Sequence, residues 1–263
     1  MAGGSVLYVN DTDTSTLGLI VSSVTGLGDV PQVTLRSRER YGWAGAMEAT
    51  VLAKQGMRTL TVTGIVKATS VATLETNLDA LKLLCFPNVT CRVRFANNAN
   101  REWVAKLTDF VVTPLGSGGQ FVNPWQAVSL KFLCPDPFGY DLSNTVIGSI
   151  TNAGDTACAV GTAPSRPVLR CTGAATNPLW TYKNAGGTTI TTLQLTITVA
   201  ASDWVEVDSY NMTIRKSVSS VITDALSTLS TGDFIVLDPK DGPNPTLRCS
   251  VGTGQATYKK AYR

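Results

Sequence analysis

Between Arg58 and Lys67 the chain alternates: Leu60, Val62 and Val66 fall on one side and Thr59, Thr61 and Thr63 on the other, the period of a strand with one buried face. The pattern recurs at Val89, Cys91, Val93 and Phe95 against Thr90, Arg92 and Arg94. It recurs again at Val128, Leu130, Phe132 and Cys134 within Trp125 to Cys134. Asn97-Asn98-Ala99-Asn100 offers the turn that joins the second of these to a return strand from Trp103, a hairpin with good turn chemistry. One stretch changes period. Val71, Leu74, Leu78, Leu81 and Cys85 repeat at three- and four-residue steps behind Ser70, a residue suited to cap a helix, and Pro87 follows. A helix is therefore expected over about 70–86, its single apolar stripe laid on a sheet.

The second half reads almost wholly as strands. Arg166 to Cys171 and Leu179 to Lys183 come first, then the turn Asn184-Ala185-Gly186-Gly187. Leu193, Leu195, Ile197 and Val199 alternate against Gln194, Thr196 and Thr198, and Val205 and Val207 continue the pattern before Ser209-Tyr210-Asn211 turns into Met212 and Ile214. Val218 to Leu229 is weakly amphipathic but rich in Ser and Thr, hence poorly helical. Phe234 to Leu237, Leu247 to Val251 and Ala256 to Tyr262 are expected to close the chain as short strands. Short strands at this spacing, with turn signals between them, argue a β-sandwich.

Between the halves stands Cys134-Pro135-Asp136-Pro137-Phe138-Gly139-Tyr140-Asp141. Two prolines one residue apart withdraw backbone donors, so the entering strand must stop, while Phe138 and Tyr140 flank Gly139 as apolar anchors. Pro135, Asp136, Pro137, Phe138 and Tyr140 thus read as a stiff junction dividing the chain into 1–138 and 139–263. The other reading is a loop inside one large β-domain, and a length of 263 residues allows either. Asp136-Pro137-Phe138-Gly139 is no kinase metal-binding motif, because no Gly-rich loop, strand lysine or catalytic loop accompanies it.

Composition narrows the function classes. Hydrophobic residues at 43% supply enough core for either arrangement, and only 16% of residues are charged. Lysine plus arginine, 22, less aspartate plus glutamate, 19, leaves +3, spread without blocks and too mild to argue nucleic-acid affinity. A surface poor in charge and rich in hydroxyls suits β-structure and protein–protein contact. The chain has no histidine, which removes the commonest general base and metal ligand. Its six cysteines (Cys85, Cys91, Cys134, Cys158, Cys171, Cys249) form no Cys-x-x-Cys pair, so neither a zinc ribbon nor a thioredoxin-type motif is offered. Several alternate within apolar strands as small buried hydrophobes. The start, Met1-Ala2-Gly3-Gly4-Ser5, lacks a secretory pattern and no run suits a membrane span, so six reduced thiols in a reducing cytoplasm are expected. Asp11 and Asp13 alternate like the start of a calcium loop, but without its glycine and glutamate they read as turn caps. No metal or cofactor is expected.

Arg36-Ser37-Arg38-Glu39-Arg40 puts four charges in five residues, next to Tyr41-Gly42-Trp43-Ala44-Gly45. This is not core composition. The segment is a solvated hairpin tip or an arm that lies on a partner, and Arg36, Arg38, Glu39, Arg40, Tyr41 and Trp43 are the candidate subunit-interface residues.

The order of these features resembles the distal tail proteins of long-tailed, siphovirus-type bacteriophages. In the first half the resemblance rests on the strand Thr59 to Lys67 with the helix from Ser70, the hairpin through Arg101-Glu102-Trp103, and Phe132-Leu133-Cys134-Pro135-Asp136-Pro137. In the second it rests on Trp204-Val205-Glu206-Val207-Asp208, Gly232-Asp233-Phe234 with Leu237, Pro239 and Asn244, and the terminal Tyr258-Lys259-Lys260-Ala261-Tyr262-Arg263. Pro239-Lys240-Asp241-Gly242-Pro243-Asn244-Pro245 departs from the family's tighter Pro-Gly-Asn turn, which opens the register of the last strands to question. The resemblance implies a mainly β protein of two β-sandwich domains. The N-terminal one would be tail-tube-like, with one α-helix, and ring-forming; the C-terminal one would be galectin-like. It also implies an arm at Val33 to Met57 that belts the neighbouring subunit.

The implied role is a non-enzymatic hub, a hexameric ring joining tail tube to host-binding tip in the virion after assembly in the host cytoplasm. Its partners would be further copies of itself, the tail tube protein, a tail-tip or tail-fibre hub protein and a tape-measure protein. DNA would pass through the lumen without specific binding, and no membrane would be engaged. A tail tube subunit is the near alternative. A carbohydrate-binding sandwich is the alternative of another class, with Trp180, Tyr182, Trp204 or Tyr210 as platforms, against which the missing histidine counts. An enzyme would need paired carboxylates, for which Glu206 with Asp208 and Asp238 with Asp241 are the close pairs of the second half.

Overall fold

A computed structural model describes residues 6–28, 56–86, 89–115 and 123–263, together with the strand backbone at 33–34, 37–39, 46–48 and 54–55. Among the described residues the protein is mainly β with one α-helix. Its chain divides into two compact units, Met1–Gly139 with Arg263, and Tyr140–Tyr262.

The first unit contains β1 (Leu7–Val9), β2 (Thr12–Asp13), β3 (Leu19–Thr25), β4 (Arg58–Lys67), α1 (Val71–Leu84), β5 (Cys91–Phe95), β6 (Arg101–Pro114) and β7 (Trp125–Cys134). These strands hydrogen-bond in the order β2-β1-β5-β6-β7-β4-β3. The alternating segments become its spine: β7 and β4 pair antiparallel over ten consecutive positions, from Trp125 opposite Lys67 to Cys134 opposite Arg58. Strand β6 divides its length between two partners, Glu102 to Ala105 with β5 and Lys106 to Pro114 with β7, and a bulge between Leu107 and Asp109 lies just inside the β7 ladder. Helix α1 starts where Ser70 Oγ accepts from the Thr73 amide at 3.1 Å. It buries Leu74, Leu78 and Leu81 in the same core as Leu60, Val62, Leu130 and Phe132.

The expected face Val89, Cys91, Val93, Phe95 is shortened by one position. Strand β5 begins at Cys91, and Val89, ahead of any ladder that would aim it inward, is exposed. Asp13 caps a short 3₁₀ turn, accepting from the Ser15 amide at 2.8 Å, and Asp11 binds Arg92 at 2.6 Å; both are turn residues tied to protein donors.

The second unit contains β8 (Thr145–Ile150), β9 (Thr156–Ala157), β10 (Val168–Thr172), β11 (Leu179–Lys183), β12 (Thr189–Leu195), β13 (Trp204–Asp208), β14 (Thr213–Val218), β15 (Val221–Asp224), β16 (Leu229–Gly232), β17 (Thr246–Cys249) and β18 (Thr253–Tyr258). One antiparallel sheet runs β8-β18-β10-β13-β14-β15, the other β9-β17-β11-β12-β16. Their inward side chains, among them Leu169, Val205, Val207, Trp180, Tyr182, Leu193 and Leu247, form one core, which makes the unit a β-sandwich. The weakly amphipathic stretch Val218 to Leu229 folds as the end of β14, the edge strand β15, a 3₁₀ turn at Leu226–Thr228 and the start of β16. The expected strand Phe234 to Leu237 shrinks to a single bridge, Leu237 with Ser165, although Ile235 and Leu237 are fully buried. Packing rather than a ladder holds them.

Candidate functional site

For a chain with no histidine, the candidate groups are its close carboxylate pairs, its thiols and any residues placed to bind a metal. Each close acidic pair is already engaged. Glu206 accepts two bonds from Arg170, at 2.6 and 3.0 Å, and the Arg170 guanidinium lies over the Trp204 ring at 4.4 Å. Asp208 accepts from the Tyr210 and Asn211 amides at 2.9 and 3.0 Å and fixes the turn after β13. Asp238 accepts from the Lys240 amide at 3.0 Å, and Asp241 from the Tyr182 hydroxyl at 3.0 Å. These are turn and strand fasteners. Among the described residues no group of three or more Cys, Asp or Glu is placed to hold a metal ion.

All six cysteines are free and buried. Burial pushes the thiols of Cys85, Cys134 and Cys158 up to about 12, so they stay protonated at neutral pH. Burial also raises Cys91. Cys171 differs: a hydrogen bond with Cys249 lowers it and raises its partner.

The aromatic residues that could carry a sugar divide in the same way. Trp180 and Tyr182 are fully buried core, so neither is a platform. Trp204 is half-buried beneath the Arg170 guanidinium, and Tyr210 alone stands well exposed.

The candidate interface falls on a hairpin whose backbone is described only in part. Val33–Thr34 pairs antiparallel with Lys54–Gln55, and Ser37–Glu39 with Ala46–Glu48, so two nested ladders carry the chain out and back between β3 and β4. Arg38 and Glu39 stand on the outgoing strand, opposite Met47 and Ala46. Arg36, Arg40, Tyr41 and Trp43 lie outside the described residues. At the junction, Asp136 Oδ1 accepts from the Phe138 amide at 3.2 Å, and Pro137 is buried while Phe138 and Tyr140 are half-buried. Gly139 sits against the Trp103 indole so closely that a Cβ there would lie 2.9 Å from Cε2.

The sequence pattern did not reveal an apolar groove of about 520 Å³ in the first unit. It is lined by Asp79, Lys82, Leu83 and Phe86 at the end of α1 and by Leu107 to Phe110 at the β6 bulge. Leu83 and Phe86 fall off the buried stripe of the helix and are exposed. Phe110, just past the bulge in the paired sheet, lines the groove with them.

No protein-family model matches the chain, and no curated protein matches it. Solved structures do. The Dit protein (gp 19.1) of SPP1, described as a paradigm of the hub adsorption apparatus in phages infecting Gram-positive bacteria, superposes with a TM-score of 0.78 at 19% identity, over 98% of this chain and 99% of that one. Chains of the phage p2 baseplate in its activated conformation are similar with TM-scores of 0.55 (with strontium; 10% identity, 98% of each chain) and 0.51 (with calcium; 8% identity, 97% and 98%). The chain therefore has, over 98% of its length, the fold of SPP1 Dit.

Proposed function

We propose that this chain is a structural subunit of a phage tail tip, a distal tail hub protein that closes into a ring between the tail tube and the host-binding tip. The observation that carries the reading is the end-to-end likeness to SPP1 Dit: both units are matched, in order, over 98% of the chain. A tail tube subunit would share only the first unit's kind of fold, and the second unit favours the hub. The ring is hexameric in this reading, formed by the first unit, with the galectin-like second unit outside it. The tail tube protein, a tip or fibre hub and the tape-measure protein are neighbours, and DNA crosses the lumen without specific contacts. The protein works as geometry, with no reaction of its own, which suits a chain whose close acidic pairs hold turns and strands. A carbohydrate role for the second unit is disfavoured by the burial of Trp180 and Tyr182 and by Arg170 stacked on Trp204.

The interface proposed is the hairpin between Val33 and Met57, with Arg36, Arg38, Glu39, Arg40, Tyr41 and Trp43 engaging the neighbouring subunit. Exposed ion pairs contribute only about 0–1 kcal/mol each, but a closed ring repeats every contact at each step, so closure depends on the sum. Replacing Arg36, Arg38 and Arg40 by glutamate should leave the monomer's melting and circular dichroism unchanged while sedimentation at moderate salt shifts from ring to monomer. Rings that survive the triple reversal would remove the arm from the interface. A wild-type chain that sediments only as monomer, alone and with tail components, would remove the ring.

A further inference from the structure

Two of the buried thiols meet across the sandwich. Cys171 belongs to β10 in one sheet and Cys249 to β17 in the other, yet both sulfurs point at the same oxygen: the Val251 carbonyl accepts from Cys171 Sγ at 3.4 Å and from Cys249 Sγ at 3.2 Å. Stacked sheets ordinarily stand about 10 Å apart, too far for such a meeting without a local approach. Glycine supplies that approach. Gly254 pairs with Cys171 in the β10–β18 ladder, and a Cβ on it would lie 2.9 Å from Cys249 Cβ and 2.5 Å from Trp180 Cη2. Gly252, at φ +69°, lets the Ser250–Gly252 crossover close over the pair, and a Cβ there would sit 2.9 Å from Cys171 Sγ. The bare glycine and the shared carbonyl bring the two side chains together from opposite sheets, with the Trp180 ring packed beside them. Cys91 and Cys158 each donate to a separate carbonyl, and although Cys85 and Cys134 both feel the nearby Cys91, no carbonyl joins that group as Val251 joins Cys171 and Cys249.

We propose that Cys171 and Cys249 are a built disulfide site, thiols when the chain is made and a covalent inter-sheet bond when it meets an oxidising medium. The oxidant is a small organic disulfide. Both protein sulfurs are fully buried, so the reagent reaches them when the Ser250–Gly252 crossover opens locally, and Cys171, as thiolate, then attacks one of the reagent's sulfurs. That S–S bond breaks, the first half leaves as a thiolate and takes up a proton, and a mixed disulfide remains on Cys171. Cys249 then gives its proton to water and its thiolate attacks Cys171 Sγ, breaking the mixed disulfide and displacing the second half as a thiolate that takes a proton back from water. Two protein thiols are oxidised and one disulfide is reduced to two thiols. Cys249 can turn its single proton from the Val251 carbonyl to Cys171 Sγ, which lowers Cys171 and suits it as the attacking sulfur. The bond would close a loop of about 80 residues that includes most strands of the second unit, and so restrict its unfolded chain. The reason for a change of medium, release of a virion from the cell, rests on the tail-hub reading; the chemistry does not.

The test uses the purified full chain, prepared reduced and transferred to hydroxyethyl disulfide. Remaining thiols are then alkylated and the digest is mapped by mass spectrometry. The expected result is one intrachain link, Cys171 to Cys249, with the other four cysteines alkylated. An upward shift in melting temperature that dithiothreitol reverses should accompany it. Cys158→Ala should leave the link intact and Cys171→Ala should abolish it; the mapping of the unsubstituted chain decides even if a variant fails to fold. Six alkylated cysteines after prolonged exposure, or links falling among Cys85, Cys91 and Cys134 or between chains instead, would overturn the proposal. None of these outcomes bears on whether the chain forms a ring.

Discussion

Tyr182→Phe isolates one hydroxyl that holds the second unit's crossing loop. The Tyr182 ring lies fully buried on β11. Its hydroxyl donates to Asp241 Oδ2 at 3.0 Å and accepts from the Asp238 amide at 3.1 Å, while the Ala185 amide donates to the Asp241 carbonyl at 2.8 Å. Phenylalanine keeps the ring and leaves no cavity, so the cost is the two bonds and the amide left without its acceptor. Asp241 is half-exposed and can be rehydrated, which limits that share. The net loss should be about 1–3 kcal/mol at neutral pH.

A second signature distinguishes the hydroxyl from mere packing. Burial is the largest cause that raises the Tyr182 phenol above its ordinary value, with Asp241 adding to it. The folded-state pKa lies above the unfolded one. Its stabilisation is therefore complete below the unfolded value of about 10 and is lost as pH rises through that range, costing about 1.4 kcal/mol by pH 11. Phenylalanine has no such proton, so the gap between wild type and variant should narrow by about that amount between pH 9 and 11. Denaturant titrations of the full chain at several pH values, followed by tryptophan fluorescence, measure both. A variant within about 0.5 kcal/mol of wild type at neutral pH, or a gap that stays constant to pH 11, would refute the reasoning.

Other substitutions probe the first unit. Ser70→Ala removes the α1 cap and should cost about 1 kcal/mol in thermal melts, less if water replaces the Thr73 contact. Gly64→Ala would place a Cβ 2.4 Å from the Ile20 carbonyl oxygen, where β3 and β4 pair, and should cost about 2–3 kcal/mol or abolish soluble expression; Gly148→Ala, with open space around it, should fall within about 0.5 kcal/mol of wild type. The raised thiols of Cys85 and Cys134 contribute stability that is complete below the ordinary value of 9.0 and lost as pH climbs toward about 12. Cys85→Ala should accordingly flatten the fall in unfolding free energy measured from pH 9 to pH 11, and an unchanged slope would contradict the burial argument.

Sequence alone revealed elements wherever one buried face dictates every second or every fourth residue. Trp125 to Cys134 is such a case, because its two neighbours in the sheet fix the same face along its length. Strand β8 is the opposite case: Gly148 and the positive φ of Ser149 interrupt Thr145 to Ile150, and the ladder with β18 shifts between Ile147 and Ile150, so no alternation survives to be read. Strand β15 carries Val221 and Ile222 on an exposed sheet edge, where periodicity has no core to obey. The long turn Pro239 to Pro245, which left the last register open, does not disturb it; a 3₁₀ turn at Pro239–Asp241 takes up the extra residues, and Cys249 pairs with Trp180 in an unshifted ladder.

That same register explains why the thiol pair could not be read from the chain. Cys171 and Cys249 stand far apart in sequence, each within its own alternating strand, and each looks like an ordinary small core residue. What joins them is the crossover Ser250–Gly252, which carries the chain from one sheet to the other and offers a single carbonyl to both sulfurs. A similar dependence runs through the groove at Leu83 and Phe86, whose other wall is the bulged stretch Leu107 to Phe110 of β6. Local pattern determines which residues are buried; the meeting of two elements determines what those residues can do. With 19% identity to SPP1 Dit, the fold follows from the first kind of information, which substitutions within a hydrophobic pattern preserve. Features particular to this chain belong to the second kind, and they are where its assembly and chemistry should be tested.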